Sequence, residues 1–114
     1  MSRANRLTRS RDFDAVYRRG RSTSTRYLVL YWFPREDAEP GSRLGIAVPK
    51  NAGGAVTRNR LKRRLREVWG RLPEPPPDAD YVLLARPGLA EAAEARGFDW
   101  LVERVEEVLG KAAT

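Results

Sequence analysis

The chain has 114 residues, is 41% apolar, and carries 22 Lys and Arg against 15 Asp and Glu, for a net charge of +7. That length suits one small domain with its own core, expected to span residues 1–114. The absence of Cys and His excludes disulfides, thiolate and imidazole catalysis and the usual zinc sites. No apolar run approaches the ~20 residues needed to cross a bilayer. The basic N-terminus has no apolar segment after it, so no signal peptide is expected and a cytoplasmic location is the natural reading.

Residues 1–9 read as irregular and basic. Ser10 is placed to cap a helix running to about Arg19, with Phe13, Val16 and Tyr17 on one face and Gly20 as its stop. Residues 22–33 read as strand, with a bend near Ser24-Thr25 that leaves room for a split into two strands. In it Tyr27, Val29, Tyr31 and Phe33 alternate with Leu28, Leu30 and Trp32. Residues 34–42 are a polar turn. Residues 43–49 form the next strand, with Leu44, Ile46 and Val48 on one face and the small Gly45 and Ala47 on the other, where something large can approach. A loop from Lys50 to Thr57 precedes a helix that ends near Trp69. Pro73 to Pro77 is a stiff connector. Tyr81 to Arg86 is a further strand. An Ala/Glu-rich helical stretch and a helix from Asp99 to about Lys111, with Leu101, Val105, Val108 and Leu109 inward, close the chain. The order is α-β-β-(β)-α-β-α. This predicts an α/β (α+β) sandwich, one small sheet with helices packed on it, in which strand 43–49, the helix and strand 81–86 form a βαβ unit, ordinarily right-handed.

Charge is concentrated in the middle helix. Residues 58–67 hold six cations, while Leu61, Leu65, Val68 and Trp69 recur at helical spacing as a buried stripe. This predicts a rigid cationic array pinned to the core. Arg58 and Lys62 flank the stripe on one side and Arg60 and Arg64 on the other. Asn59, Arg63 and Arg66 lie roughly opposite it. Glu67 is expected to pair with Arg63 or Arg64, and the other cations to lack acidic partners. Residues 1–72 carry 18 Lys and Arg against 6 Asp and Glu, whereas residues 73–114 carry 4 against 9. Such polarity implies a binding face for a polyanion. The acidic pairs Asp12/Asp14, Glu36/Asp37 and Asp78/Asp80 lie beside turns or a helix start and read as caps and solvated groups. No converging carboxylates suggest a metal nuclease, and the Lys50–Gly54 loop lacks the phosphate-loop ending. No catalytic or metal-binding residue of the protein is therefore assigned. Phe13, Tyr17, Tyr27, Tyr31 and Phe33 are candidate base-stacking platforms. Core packing is the better reading for Phe13 and Phe33, and Tyr17 and Tyr31 stay open between the two.

The segments Leu44–Lys50, Gly53–Val56, Arg58–Arg63 and Arg66-Glu67, with Asn5-Arg6-Leu7 and Phe13–Gly20 upstream and strand 81–86 downstream, resemble the bacterial ribonuclease P protein component. The resemblance covers nearly the whole chain. It implies a protein that pairs with a large catalytic RNA to remove the 5′ leader of precursor transfer RNA. The chemistry and its magnesium would reside in the RNA, and no cofactor would be bound by the protein alone. It implies a left-handed βαβ crossover. It places Arg58, Asn59, Arg60, Lys62, Arg63 and Arg66 against the catalytic RNA or the nearby leader, and Lys50 near phosphates. Phe13, Tyr17 and Tyr31 would line a cleft for the single-stranded leader, with Gly45 and Ala47 keeping its floor open. Asn51 stands where the family often carries a second basic residue, and Pro49 where a small hydroxyl residue is common. No membrane and no obligate protein partner is expected.

A structural RNA binder of the ribosomal-protein type explains the charge and size equally well. It predicts neither an aromatic cleft nor preference for a leader. A membrane-surface helix would need the apolar stripe that the core requires. A helix-turn-helix DNA reader lacks the expected helix before the basic one.

Overall fold

A computed structural model describes residues 6–34, 41–72 and 78–113. Turn residues 35–40, with Glu36 and Asp37, and the connector Pro73 to Pro77 lie outside them. The elements are α1 (Ser10–Arg19), β1 (Arg21–Ser24), β2 (Leu28–Phe33), β3 (Arg43–Ala47), α2 (Ala55–Gly70), β4 (Asp80–Ala85), α3 (Leu89–Arg96) and α4 (Phe98–Ala112). One mixed sheet has the order β1-β2-β4-β3, with β3 parallel to β4 and the other pairs antiparallel. This is the expected α+β sandwich. The split of residues 22–33 into two strands is realised as a hairpin, and β3-α2-β4 is the βαβ unit.

The sheet separates two apolar clusters. On one face Leu28, Leu30, Leu44, Ile46, Tyr81 and Leu83 meet Leu61, Leu65, Val68 and Trp69 of α2 and Leu101, Val105 and Val108 of α4. On the other face Val82 packs with Val16 of α1 and Leu7, flanked by Phe13, Tyr31 and Phe33. Tyr31 lies opposite Val82, which lies opposite Gly45; the next row is Val29, Leu84 and Ala47. Period-2 alternation thus sends β2 residues of one parity to α2 and α4 and the other to α1. Tyr27 departs from that pattern. It precedes β2, and its ring meets Trp100 edge-on at 5.1 Å, beside the α2/α4 cluster.

Other departures are local. Ser10 is inside α1, and the capping position belongs to Arg9, whose side chain makes no cap hydrogen bond. Gly20 ends α1 at an ordinary negative φ of −79°, so a left-handed stop is not the reason for glycine. A Cβ there would collide with the carbonyl oxygens of Val16 and Trp32, so close approach of β2 requires it. Lys50 to Ala52 forms a 3-10 turn, and α2 begins at Ala55, earlier than the sequence suggests. Gly53, at φ +137°, and extended Gly54 turn the chain without a polar capping side chain, so the usual start signal is missing. Asp80 is a buried strand residue, neither cap nor solvated. Its carboxylate accepts from Arg43 Nε at 2.7 Å and Nη2 at 2.6 Å, tying β3 to β4.

Candidate nucleic-acid interface

The predicted stripe of α2 is buried throughout: Leu61, Leu65, Val68 and Trp69 all face the sheet and α4. That stripe is therefore consumed by the core. Among the described residues, no helix is long and apolar enough to cross a membrane. The cations divide into two rows. On one side Arg60 donates to Glu94 Oε1 at 2.8 Å, and Arg64 lies 3.7 Å from the same oxygen. Their charges, with the Arg60 hydrogen bond dominant, hold Glu94 below the usual carboxylate range despite its exposure. Glu67 turns forward to Arg71 at 2.8 Å instead of back to Arg63 or Arg64. Both pairings correct the expectation from the sequence. Pairing at i+4 is as accessible to Glu67 as pairing at i−4, and Glu94 reaches α2 only through helix packing.

The other row is uncompensated. Among the described residues no carboxylate pairs with Arg58, Lys62, Arg63 or Arg66. Asn59 and Arg63 are exposed, and Arg58, Lys62 and Arg66 are half-buried. Arg58 Nε donates to the Gly53 carbonyl at 3.1 Å, so this cation also holds the loop that carries exposed Lys50. Burial, and then the nearby positive charge of Arg6, lower the pKa of Arg66. Its Nε is buried without a hydrogen-bond partner among the described residues. Arg6 reaches this position because residues 6–7 run parallel to β3, with Leu7 N–H donating to the Leu44 carbonyl at 2.9 Å. Two cations held together beside an orphaned donor suit an anion. Sequence reasoning missed Arg6 as a member of this row. Its signals were the basic run at the N-terminus and its place in the Asn5-Arg6-Leu7 segment.

Around the β3 edge, on the opposite face, Phe13, Tyr17 and Tyr31 come together. Phe13 and Tyr17 ring centroids are 6.3 Å apart, and Tyr17 meets Tyr31 edge-on at 4.8 Å. Tyr17 is 40% exposed, and Phe13 and Tyr31 are half-buried. Burial first, then Tyr31 and Asp14, push the Tyr17 hydroxyl upward in pKa, so it stays a neutral donor. Gly45 does not keep an open floor. A Cβ on it would sit 2.5 Å from Cζ of Phe13, so the missing volume is filled by that ring. The accessible part of the floor is the next row, Val29, Leu84 and Ala47, all partly buried. Val29 shares a face with Tyr31 in the sequence, but Leu84 joins it only through strand pairing. Among the described residues no group of three carboxylates gathers in a way that could hold a metal ion.

The family model described as Ribonuclease P matches residues 1–113. A ribonuclease P protein component of Acidothermus cellulolyticus is 43% identical over 107 residues, covering 93% of this chain and 86% of the relative. That of Shouchella clausii is 37% identical over 113 residues, covering 98% and 88%. Among solved structures, the Staphylococcus aureus RNase P protein superposes with a TM-score of 0.82 at 30% identity, covering 96% of each chain. The Thermotoga maritima RNase P protein superposes with a TM-score of 0.78 at 33% identity, covering 93% of this chain and 96% of that one.

Proposed function

The chain belongs to the bacterial ribonuclease P protein family, and we propose that it divides its grip between two RNAs across the β3 edge. As a ribonuclease P protein component it works with an RNA partner. The uncompensated row of α2, made of Arg58, Asn59, Lys62, Arg63 and Arg66 and extended by Arg6 and Lys50, faces phosphates of the catalytic RNA or the adjoining leader. Arg60 belongs to the interface only after it leaves Glu94. Phe13, Tyr17 and Tyr31, with the Val29–Leu84–Ala47 floor, hold the single-stranded 5′ leader of precursor transfer RNA. Bases stack on exposed ring faces at about 1–3 kcal/mol each, with little regard to sequence. Phosphodiester hydrolysis and its magnesium ions belong to the RNA. The protein neutralises phosphates and holds the leader.

The observation that carries this reading is the adjacency, around one sheet edge, of an aromatic cleft and a cationic row with no carboxylate partner among the described residues. Two measurements test it. Cleavage of precursor by the catalytic RNA at low magnesium should accelerate when the protein is added. The reconstituted complex should bind leader-bearing transfer RNA more tightly than mature transfer RNA. Equal affinities would return the protein to the class of purely structural RNA binders.

A further inference from the structure

Residues 73–114 are acidic in sum, yet all four of their Lys and Arg gather around the β1–β2 turn. Arg86 donates to the Thr25 carbonyl at 2.8 Å and Lys111 to the Ser24 carbonyl at 2.7 Å. The guanidinium groups of Arg96 and Arg104 lie 5.9 and 5.3 Å from the Trp100 ring centroid. Arg26, from the turn itself, lies 5.2 Å from the centroid of Tyr27, whose ring abuts Trp100. Arg26, Tyr27, Arg96, Trp100, Arg104 and Glu107 line an open cavity of about 330 Å³.

Holding the hairpin explains Arg86 and Lys111 but not the rest. Arg26 and Arg96 are exposed and make no hydrogen bond or ion pair among the described residues. Among the described residues Arg104 Nε is buried without a hydrogen-bond partner, and the carboxylate contacts of this side chain are long, 3.6 Å to Glu103 and 3.8 Å to Glu107. Three guanidinium groups thus share one lining carboxylate, over two aromatic rings.

We propose that this pocket is a second RNA contact that takes one unpaired nucleotide. Arg26 and Arg96 receive the phosphate in the forked geometry guanidinium favours, and the base lies on the Arg–aromatic stack. Tyr27 and Trp100 pack on the sheet face opposite Phe13 and Tyr17, so the pocket is separate from the leader cleft. Its ligand is therefore a nucleotide of the RNA subunit. The inference rests on the reading that the chain works while bound to a large RNA.

The test is titration of the RNA subunit with wild-type protein and with the Arg26→Ala/Arg96→Ala double variant across a range of KCl. The variant should bind about tenfold more weakly at low salt. Its log K against log salt slope should be shallower by about 0.7–0.9 for each phosphate that it no longer neutralises. Its melting temperature should stay near that of wild type, because both side chains are exposed. Arg26→Lys/Arg96→Lys should recover the slope but only part of the affinity, since Lys keeps the charge and loses the fork. An unchanged affinity and slope in the Ala variant overturns the proposal. So does a defect confined to binding of an acidic peptide such as poly-Glu, which would assign the pocket to a protein. Wild-type protein that fails to prefer the RNA subunit over unrelated RNA would instead sink the proposed function, and this inference with it.

Discussion

Gly45 shows what a single residue can and cannot disclose. A small residue in a strand announces missing side-chain volume, and its alternation with Leu44 and Ile46 states on which face. It does not state what fills the space, because the occupant comes from a helix far upstream in the chain. That occupant is Phe13. Gly45→Ala should therefore act on both stability and the cleft. The new methyl would meet Phe13 at 2.5–2.7 Å and Leu7 Cβ at 3.2 Å, and overpacking of this kind costs about 1–3 kcal/mol. Relief requires Phe13 to move against Tyr17. Thermal unfolding should show the loss, and preference for leader-bearing over mature transfer RNA should fall with it. Tyr17 offers a cleaner probe. Its hydroxyl is neutral at physiological pH and its ring is partly exposed. Tyr17→Ala should cost about 1–3 kcal/mol in leader binding, the value of one stacked base. Tyr17→Phe keeps the ring and should retain most of that affinity. Equal losses in both variants would mean that the hydroxyl, not stacking, makes the contact.

At the scale of the element, α2 is readable because its two determinants are local. The spacing of Leu61, Leu65, Val68 and Trp69 sets the buried face, and the density of Arg and Lys marks the rest of the helix as cationic. Leu65 is fully buried, so Leu65→Ala should cost about 2–5 kcal/mol of stability. Arg63→Ala should leave stability nearly unchanged and weaken RNA binding. The neighbourhood of α2 is not readable in the same way. Glu94 sits 34 residues from Arg60 and meets it only because α3 packs beside α2. Its consequence is specific. Glu94→Gln should tighten RNA binding at neutral pH, since it removes a negative charge from beside α2 and releases Arg60 and Arg64. The sign with pH follows from the lowered carboxylate pKa in the folded state. The small stabilisation from this pair is complete above the unfolded Glu value of about 4.3 and fades as pH falls through the lower folded value. Wild type should lose that increment under acid and the Gln variant should not. Fluorescence titrations at pH 7 and melts from pH 3 to 6 would check both. An unchanged affinity for the Gln variant would show that Arg60 and Arg64 lie outside the interface.

At the scale of the molecule, linear charge counts mislead about space. The sequence divides into a basic part and an acidic part, but β4, from the acidic part, lies between β2 and β3 in the sheet, and the cations that follow it collect at the hairpin turn. Element types and the two-sided sheet followed from periodicity and alternation, which are properties of neighbouring residues. Strand order, the Arg43–Asp80 tie and the Tyr27–Trp100 contact depend on pairings distant in sequence, so periodicity could not supply them. The consequence for function is electrostatic. A protein that brings fixed cations to an RNA does part of what diffuse magnesium does, so the two should substitute for each other. Lys62→Ala/Arg63→Ala removes two uncompensated charges outside the buried stripe. Cleavage by the reconstituted enzyme should then need more magnesium to reach half its maximal rate. The two rate curves should converge at high magnesium, where ions replace the missing side chains. A rate reduced by the same factor at every magnesium concentration would contradict charge neutralisation, and would mean that these residues act by positioning the RNA instead.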